Sequence, residues 1–272
     1  MSRPQFVDNL WQNVPYPGYY RANMLLQWVS ATQINVVLPS VAGQAVVGVA
    51  RDGSDSVNIN LTNVLSVSTS SANYGQIGGL DTGVIANSTW YNVCVVTNSA
   101  IVDGSRALPP FSSPTPPGAM LTLQTNDAPS MPGQYDTSII IGSILTDSDG
   151  NIRKFYNPSK GLFIWDLPIN VYDTGVNTGY VAVDCATACP LYTSEAILNV
   201  TYTADTAANS IYIQYNGSTS GLTQATLQSP STDEMTFAPF NQIVDSTQKF
   251  QIKNTSASDE VNVNVTGYVQ VI

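Results

Sequence analysis

The 272-residue sequence predicts an all-β protein: antiparallel sheets arranged as a β-sandwich or jelly roll, preceded by an extended N-terminal arm. Three observations predict it. Apolar residues alternate with polar ones over short runs, turn-forming pairs punctuate those runs, and no window sustains helical periodicity.

The arm comes first. Over residues 1 to 25 the aromatics Phe6, Trp11, Tyr16, Tyr19 and Tyr20 are interleaved with Pro4, Pro15 and Pro17, which break regular structure. Such a segment has little core of its own to enter. It gains by lying on another surface, either its own sandwich or a neighbouring subunit, and aromatic anchors are enriched at interface centres. These five aromatics are the candidate attachment residues. Asn23 is of the type that caps a short helical turn over residues 24 to 29.

Strands follow. Ile34, Val36 and Leu38 alternate, Val46, Val47 and Val49 come after Gly43, and Asp52-Gly53 has the signature of a tight turn before Val57, Ile59 and Leu61. Residues 75 to 79 read as a loop and 90 to 96 as a buried strand, whereas 103 to 135, rich in proline, read as loop. Residues 139 to 145 are a strand, and Asp147-Ser148-Asp149-Gly150-Asn151 turns the chain into 152 to 156. Further strands are expected at 163–167, 179–184, 196–203, 210–215 and 250–253, and over Val261, Val263 and Val265 into an apolar C-terminal strand at 268–272. The segment Asn157-Pro158-Ser159-Lys160-Gly161 reads equally as a hairpin or a hinge. It divides the expected organisation into a sandwich over 26–160 and, over 161–272, a second sandwich or a continuation of the first.

Composition then bounds function. Hydrophobic residues make up 43% of the chain, enough for a sizeable core. Charged residues make up only 10%, against roughly 25% in ordinary soluble domains. Solubility therefore rests on Ser, Thr, Asn, Gln and Gly, a neutral surface suited to packing against copies of itself. A homo-oligomer is expected, with a trimer favoured. Nine basic against nineteen acidic residues leave a net charge of −10, which opposes binding to a nucleic-acid backbone or an anionic membrane. No apolar run approaches the ~20 residues of a membrane span, and no apolar signal region follows Met1.

Catalytic equipment is sparse. With no histidine, Ser-His-Asp and Cys-His systems cannot be assembled, no cofactor-binding motif is present, and no metal set is apparent. Carboxylate pairs remain, since two acids suffice for glycoside hydrolysis. Asp184 with Glu195, and Asp233 with Glu234, are the pairs on offer. Asp147 to Asn151 looks like the start of a calcium loop but lacks the later glutamate, and a β-turn explains the same residues. Cys94 lies in an apolar strand as a buried thiol, while Cys185 and Cys189 are either two free thiols or a small loop-closing disulfide.

Residues 33 to 156 resemble a segment of bacteriophage tail-fibre and other virion structural proteins. The resemblance rests on an ordered series: Gln33 to Leu38 with Gly43; Gly78-Gly79-Leu80-Asp81-Thr82-Gly83; Ala86-Asn87-Ser88-Thr89-Trp90-Tyr91-Asn92-Val93-Cys94-Val95-Val96; a proline-rich connection; Tyr135-Asp136; and Ile141-Gly142-Ser143-Ile144-Leu145-Thr146-Asp147 ending at Gly150-Asn151-Ile152. The opening Arg3 to Leu10 also looks like the start of such fibres. Similar proteins carry arginine just before the Ile-Gly pair. Here Thr137-Ser138-Ile139-Ile140 stands there, so whatever the arginine contacts is not carried over. The resemblance implies a virion component. With the sparse catalytic equipment, the neutral surface and the aromatic arm, the expectation is a non-enzymatic tail fibre or appendage whose partners are copies of itself and other virion proteins, with loops available for a host surface glycan. The alternatives are a capsid decoration or head-fibre protein and, from another class, a polysaccharide depolymerase.

Overall fold

The computed structural model describes residues 20–22, 24–38, 48–51, 58–61, 64–97, 117–126, 129–175, 178–218, 225–232 and 235–271. Among these residues the protein is all-β: its strands pair antiparallel in five sheets, and the helical element is a 3-10 turn at Ser71–Asn73.

The N-terminal strands are β1 (Tyr20–Ala22), β2 (Leu25–Ser30), β3 (Gln33–Val37), β4 (Gly48–Arg51), β5 (Asn58–Leu61) and β6 (Leu65–Ser68). They form two three-stranded sheets, β1-β4-β5 and β2-β3-β6. The helical turn expected over residues 24 to 29 is not formed; β2 occupies that stretch, with Leu26 paired to Val36 and Trp28 to Ile34. Met24 and Leu26 are buried while Gln27 is exposed, a period of two. Each such buried side chain contributes about 1.5–3 kcal/mol. A single capping residue, worth about 1 kcal/mol, does not outweigh that.

Next come β7 (Trp90–Thr97), β8 (Gly118–Leu123) and β9 (Thr137–Leu145), paired in the order β8-β7-β9. Strand β8 falls inside the stretch expected to be loop. Its Gly-Ala-Met-Leu-Thr-Leu run pairs residue for residue with Tyr91 to Val96 of β7, an apolar partner that the surrounding prolines obscure in the sequence. Every residue of β7 is buried. Val93 and Val95 enter the main core, whereas Cys94 and Val96 enter a smaller cluster with Met120 and Tyr135.

The remaining strands are β10 (Phe155–Ser159), β11 (Leu162–Gly175), β12 (Val181–Asp184), β13 (Thr193–Thr203), β14 (Ser210–Tyr215), β15 (Ala225–Gln228), β16 (Met235–Ile243), β17 (Lys249–Asn254) and β18 (Glu260–Gln270). They build a five-stranded sheet, β10-β11-β18-β13-β16, and a four-stranded sheet, β12-β17-β14-β15. Val261, Val263, Val265, Leu198 and Val200 of the first share one core with Val183, Ile211, Ile213, Phe250 and Ile252 of the second. This is the sandwich the alternation predicts. The expected run at Val261–Val265 and residues 268–270 of the expected C-terminal run are one strand, β18, at the centre of its sheet; Ile272 lies outside the described residues. Residues 157 to 161 form a hairpin, with Ser159 paired to Leu162. The buried Asn157 side chain pins it, donating to the carbonyls of Ser159 and Leu162 at 2.7 and 2.8 Å and accepting from the Leu26 N–H at 2.8 Å.

That contact begins a continuous join across residue 160. Strand β10 packs on β2, and the main core runs from Leu26 and Ile34 through Val93 to Phe163, Val263 and Phe250. Gly142 of β9 lies between Leu26 and Phe163, where a Cβ would come within 2.7 and 2.9 Å of their side chains. Only glycine leaves room for that approach. Aromatic rings fill the seam: Phe163 stacks on Tyr268 at 4.9 Å, and Trp90 and Trp165 lie 5.9 and 5.8 Å from Tyr268.

Candidate functional site

Of the five arm aromatics, Phe6, Trp11, Tyr16 and Tyr19 lie outside the described residues. Tyr20 opens β1, its backbone paired with Arg51. Three of the stretches that carry the resemblance, 78–83, 86–96 and 141–152, are brought together around β7. Gln33 to Val37 stands in another sheet, and Gly43 and residues 98–116 of the proline-rich connection lie outside the described residues. The Gly78 N–H donates to the Ala119 carbonyl and the Leu121 N–H to the Gly79 carbonyl, at 2.8 Å each. Those two bonds tie the glycine loop to β8. Asp81, buried at its centre, accepts from the Thr122 hydroxyl at 2.9 Å and the Ser130 N–H at 3.0 Å. On the other side Ser88 donates to the Asp147 carbonyl at 2.8 Å, and the Thr146 hydroxyl donates to the Ala86 carbonyl at 2.7 Å. The Asp147 turn is closed by its own carboxylate, whose Oδ1 accepts from the N–H groups of Asp149 and Asn151 at 2.9 Å each. Burial raises that carboxyl, but the two backbone donors outweigh it and hold it below the usual carboxylate range. The residues form the β-turn that Asp, Gly and Asn predict.

Asp184 and Glu195, considered as a catalytic pair, stand on different sheets. Asp184, on the four-stranded sheet, accepts from the Ala186 N–H at 2.9 Å and faces Lys249 at 3.7 Å. Glu195, on the five-stranded sheet, accepts from Asn241 at 3.0 Å. Asp233 and Glu234 lie outside the described residues. A different pair is brought together: Asp205 and the fully buried Asp259 share Asn209, which donates to both at 2.6 and 3.0 Å. Asp259 also accepts from the Tyr202 hydroxyl at 2.7 Å and the Asp205 N–H at 3.1 Å. Burial pushes Asp259 up, yet these donors win and hold it below the usual range. With every donor supplied by the protein, the cluster is a closed knot joining the ends of β13 and β18. Its two acids are separated by a long stretch of sequence, and only the register Thr203 to Glu260 places them side by side.

All three cysteines are buried free thiols. Burial, and secondarily the Asp81 carboxylate, push Cys94 up to about 12, so it is an inert core thiol. Cys185 and Cys189 touch within one turn, where the Cys189 N–H donates to the Cys185 carbonyl at 2.8 Å. Burial first, then the neighbouring Cys185, raises Cys189 well above an ordinary thiol. Two indoles hold this turn against the seam: Trp90 donates to the Ala186 carbonyl at 2.8 Å and Trp165 to the Ala188 carbonyl at 3.1 Å.

The outward face of the five-stranded sheet carries rows of amides. Across the five-stranded sheet, Asn170, Asn264 and Asn199 stand in one row and Asp173, Asn262 and Thr201 in the next. The Asn170 amide donates to Asn262 and Asn264 at 3.2 and 3.4 Å. Such a face offers amides and hydroxyls at regular spacing, but no acid–base pair. Among the described residues no three His, Cys, Asp or Glu side chains gather as a metal set, and no helix is long and apolar enough to cross a membrane. No protein-family model matches the chain, and a search of curated proteins finds no match either.

Proposed function

We propose that the protein is a non-enzymatic structural component of a bacteriophage particle, a tail-fibre or related appendage subunit. In this reading it assembles through its N-terminal arm and its weakly charged β faces into a homo-oligomer, a trimer being favoured. One observation supports the reading: three of the separated stretches that resemble phage virion proteins, 78–83, 86–96 and 141–152, interlock around β7 as one hydrogen-bonded unit, glycine loop on one side and Asp147 turn on the other. A resemblance made of scattered matches gains weight when the matches meet in space. The amide-rich outer face fits the same role, because neutral polar surfaces associate without the desolvation cost of buried charge.

Immunogold labelling of particles with antibody to this chain tests the proposal, and gold on the tail is the expected outcome. Gold on the head would favour a decoration or head-fibre role instead, and unlabelled particles would overturn both. Light scattering on the purified chain is expected to give a multiple of the 29.0 kDa protomer. Deleting residues 1 to 19, which precede β1, is expected to leave the far-ultraviolet β signature intact and to abolish incorporation into particles.

A further inference from the structure

We propose that the outward face of the four-stranded sheet β12-β17-β14-β15 binds an acidic oligosaccharide, whose oxyanion is taken by Lys253 held between Tyr180 and Tyr212. The inference rests on the proposed function for the source of the glycan, a bacterial surface; the site itself is read from the side chains.

Alternation sets up the face. In β17, Phe250, Ile252 and Asn254 are buried, so Lys249, Gln251 and Lys253 point outward; in β12, Val183 is buried and Ala182 and Asp184 are exposed. The register then lays these residues in rows. Tyr212 pairs with Lys253, Gln214 with Gln251, and Lys249 with Asp184, while Tyr180 precedes Val181, the partner of Ile252. Neighbouring strands are about 4.8 Å apart, so the two tyrosines stand roughly 10 Å apart across β17. The Lys253 ammonium fills the gap, 4.7 Å from the Tyr180 ring centre and 4.8 Å from that of Tyr212.

What singles this lysine out is the absence of a counter-charge beside it. Lys154 also lies over aromatic rings, those of Trp28 and Tyr156, but pairs with Asp166 at 2.9 Å. Lys249 faces Asp184 at 3.7 Å. Among the described residues Lys253 has no carboxylate partner, and neither phenolic hydroxyl beside it has a hydrogen-bond partner. Cation–π contact fixes an ammonium without neutralising it. Three donors, one cationic and pinned, therefore stand in one row with no acceptor supplied by the protein. Pinning lowers the ordering cost of binding.

The next row suits a hydroxylated ligand. Gln214 donates to the Gln251 side-chain oxygen at 3.0 Å and to the Ser218 carbonyl at 3.2 Å. That orients Gln251 and leaves its NH2 without an acceptor among the described residues. Asp184, in the third row, supplies an acceptor for a sugar hydroxyl. In a chain of net charge −10 a polyanion gains nothing from long-range attraction, so binding depends on this local row and favours a ligand with sparse charge. An acidic sugar, one oxyanion among many hydroxyls, fits; a nucleic acid, charged at every residue, does not.

The competing explanation is that Tyr180, Lys253 and Tyr212 are a cross-strand stack serving stability alone. The test uses the full chain on an array of bacterial-surface oligosaccharides in uronate-bearing, phosphate-bearing and neutral sets, with short single-stranded DNA as a polyanion control. The expected result is binding to acidic sugars at least about tenfold tighter than to neutral ones, a factor appropriate to one charge-assisted contact. The uronate and phosphate sets identify the oxyanion. Lys253→Gln is expected to lose that preference while its urea midpoint stays near wild type; Lys253→Arg is expected to keep it, and Tyr212→Phe, which keeps the ring, to weaken it severalfold. Lys154→Gln, at the other aromatic lysine, which Asp166 already neutralises, is expected to leave sugar binding unchanged. Failure of every acidic sugar to bind, unchanged binding in Lys253→Gln, or equal binding of DNA would overturn the proposal. Sugar binding on a chain that labels no particle would overturn the proposed function alone, and labelled particles without sugar binding would overturn the platform alone.

Discussion

Asp259 is the residue at which burial and charge conflict most sharply. It is fully buried and accepts hydrogen bonds from Tyr202, Asn209 and the Asp205 N–H. Replacing it with alanine orphans three donors at once, and the expected loss is about 3 kcal/mol, since each unsatisfied buried group costs about 1–3 kcal/mol and the site relaxes in part. The urea midpoint at neutral pH measures it. Its pH dependence has a definite sign. The folded carboxyl titrates below its unfolded value, so the folded state binds fewer protons. Its contribution is complete above the unfolded value of about 4 and disappears as pH falls through the lower folded value. Asp147 and Asp245, also held low by hydrogen bonds against the opposing effect of burial, act in the same window. Stability is therefore expected to fall steeply from about pH 4 downward. Asp259→Asn is expected to flatten that fall in a series of urea melts; an unchanged slope would mean the buried carboxylate is not the group being titrated.

At the scale of elements, the register of β18 depends on a backbone approach that only glycine tolerates. A Cβ on Gly267 would lie 2.3 Å from the Phe163 carbonyl oxygen, a rigid backbone atom of the neighbouring strand. The position lies beside the irregularity where β18 shifts register against β11 and β13. Gly267→Ala is expected to destabilise by about 2–4 kcal/mol, because two paired strands must separate. Gly179, with open space around its Cβ position, is the control, and Gly179→Ala is expected to stay within about 0.5 kcal/mol. The same contrast explains what the sequence discloses. Alternation at Ile34 and Val36, or at Val261, Val263 and Val265, announces strands because one face is buried and the other wet. The Asp147 turn is legible because Asp, Gly and Asn accept its geometry locally. β8 is not, since its partner β7 is remote and prolines surround it; nor is β2, where local capping chemistry points to a helix and tertiary burial decides otherwise. The Tyr180–Lys253–Tyr212 row is hidden for the same reason: it exists only once three strands from separate parts of the chain are in register.

For the whole molecule the question is whether the segments before and after residue 160 are independent. The seam between them combines rings and a buried polar chain. Gln270 donates to the Ser143 hydroxyl at 2.9 Å, which donates to Asn92 at 2.9 Å, while the Tyr268 hydroxyl reaches the Ser143 carbonyl at 3.2 Å. Phe163, Trp165 and Tyr268 complete the core that Leu26, Trp90 and Ile141 begin. Separating the segments leaves these polar groups unpaired and the rings in water. Each aromatic buries about 150–250 Å², so at about 25 cal/mol per Å² the loss is comparable to the roughly 5–15 kcal/mol by which a domain is stable. Residues 1–160 and 161–272 expressed as separate chains are therefore each expected to lack a cooperative melt. The intact chain is expected to unfold in one transition, with indole fluorescence coinciding with far-ultraviolet dichroism. Trp28 and Trp90 report the first segment and Trp165 the second, so single-tryptophan variants locate any split. Distinct midpoints for Trp28 and Trp165 would show two units joined by a weak seam. Coincident midpoints would show that the segments on either side of residue 160 unfold as one body.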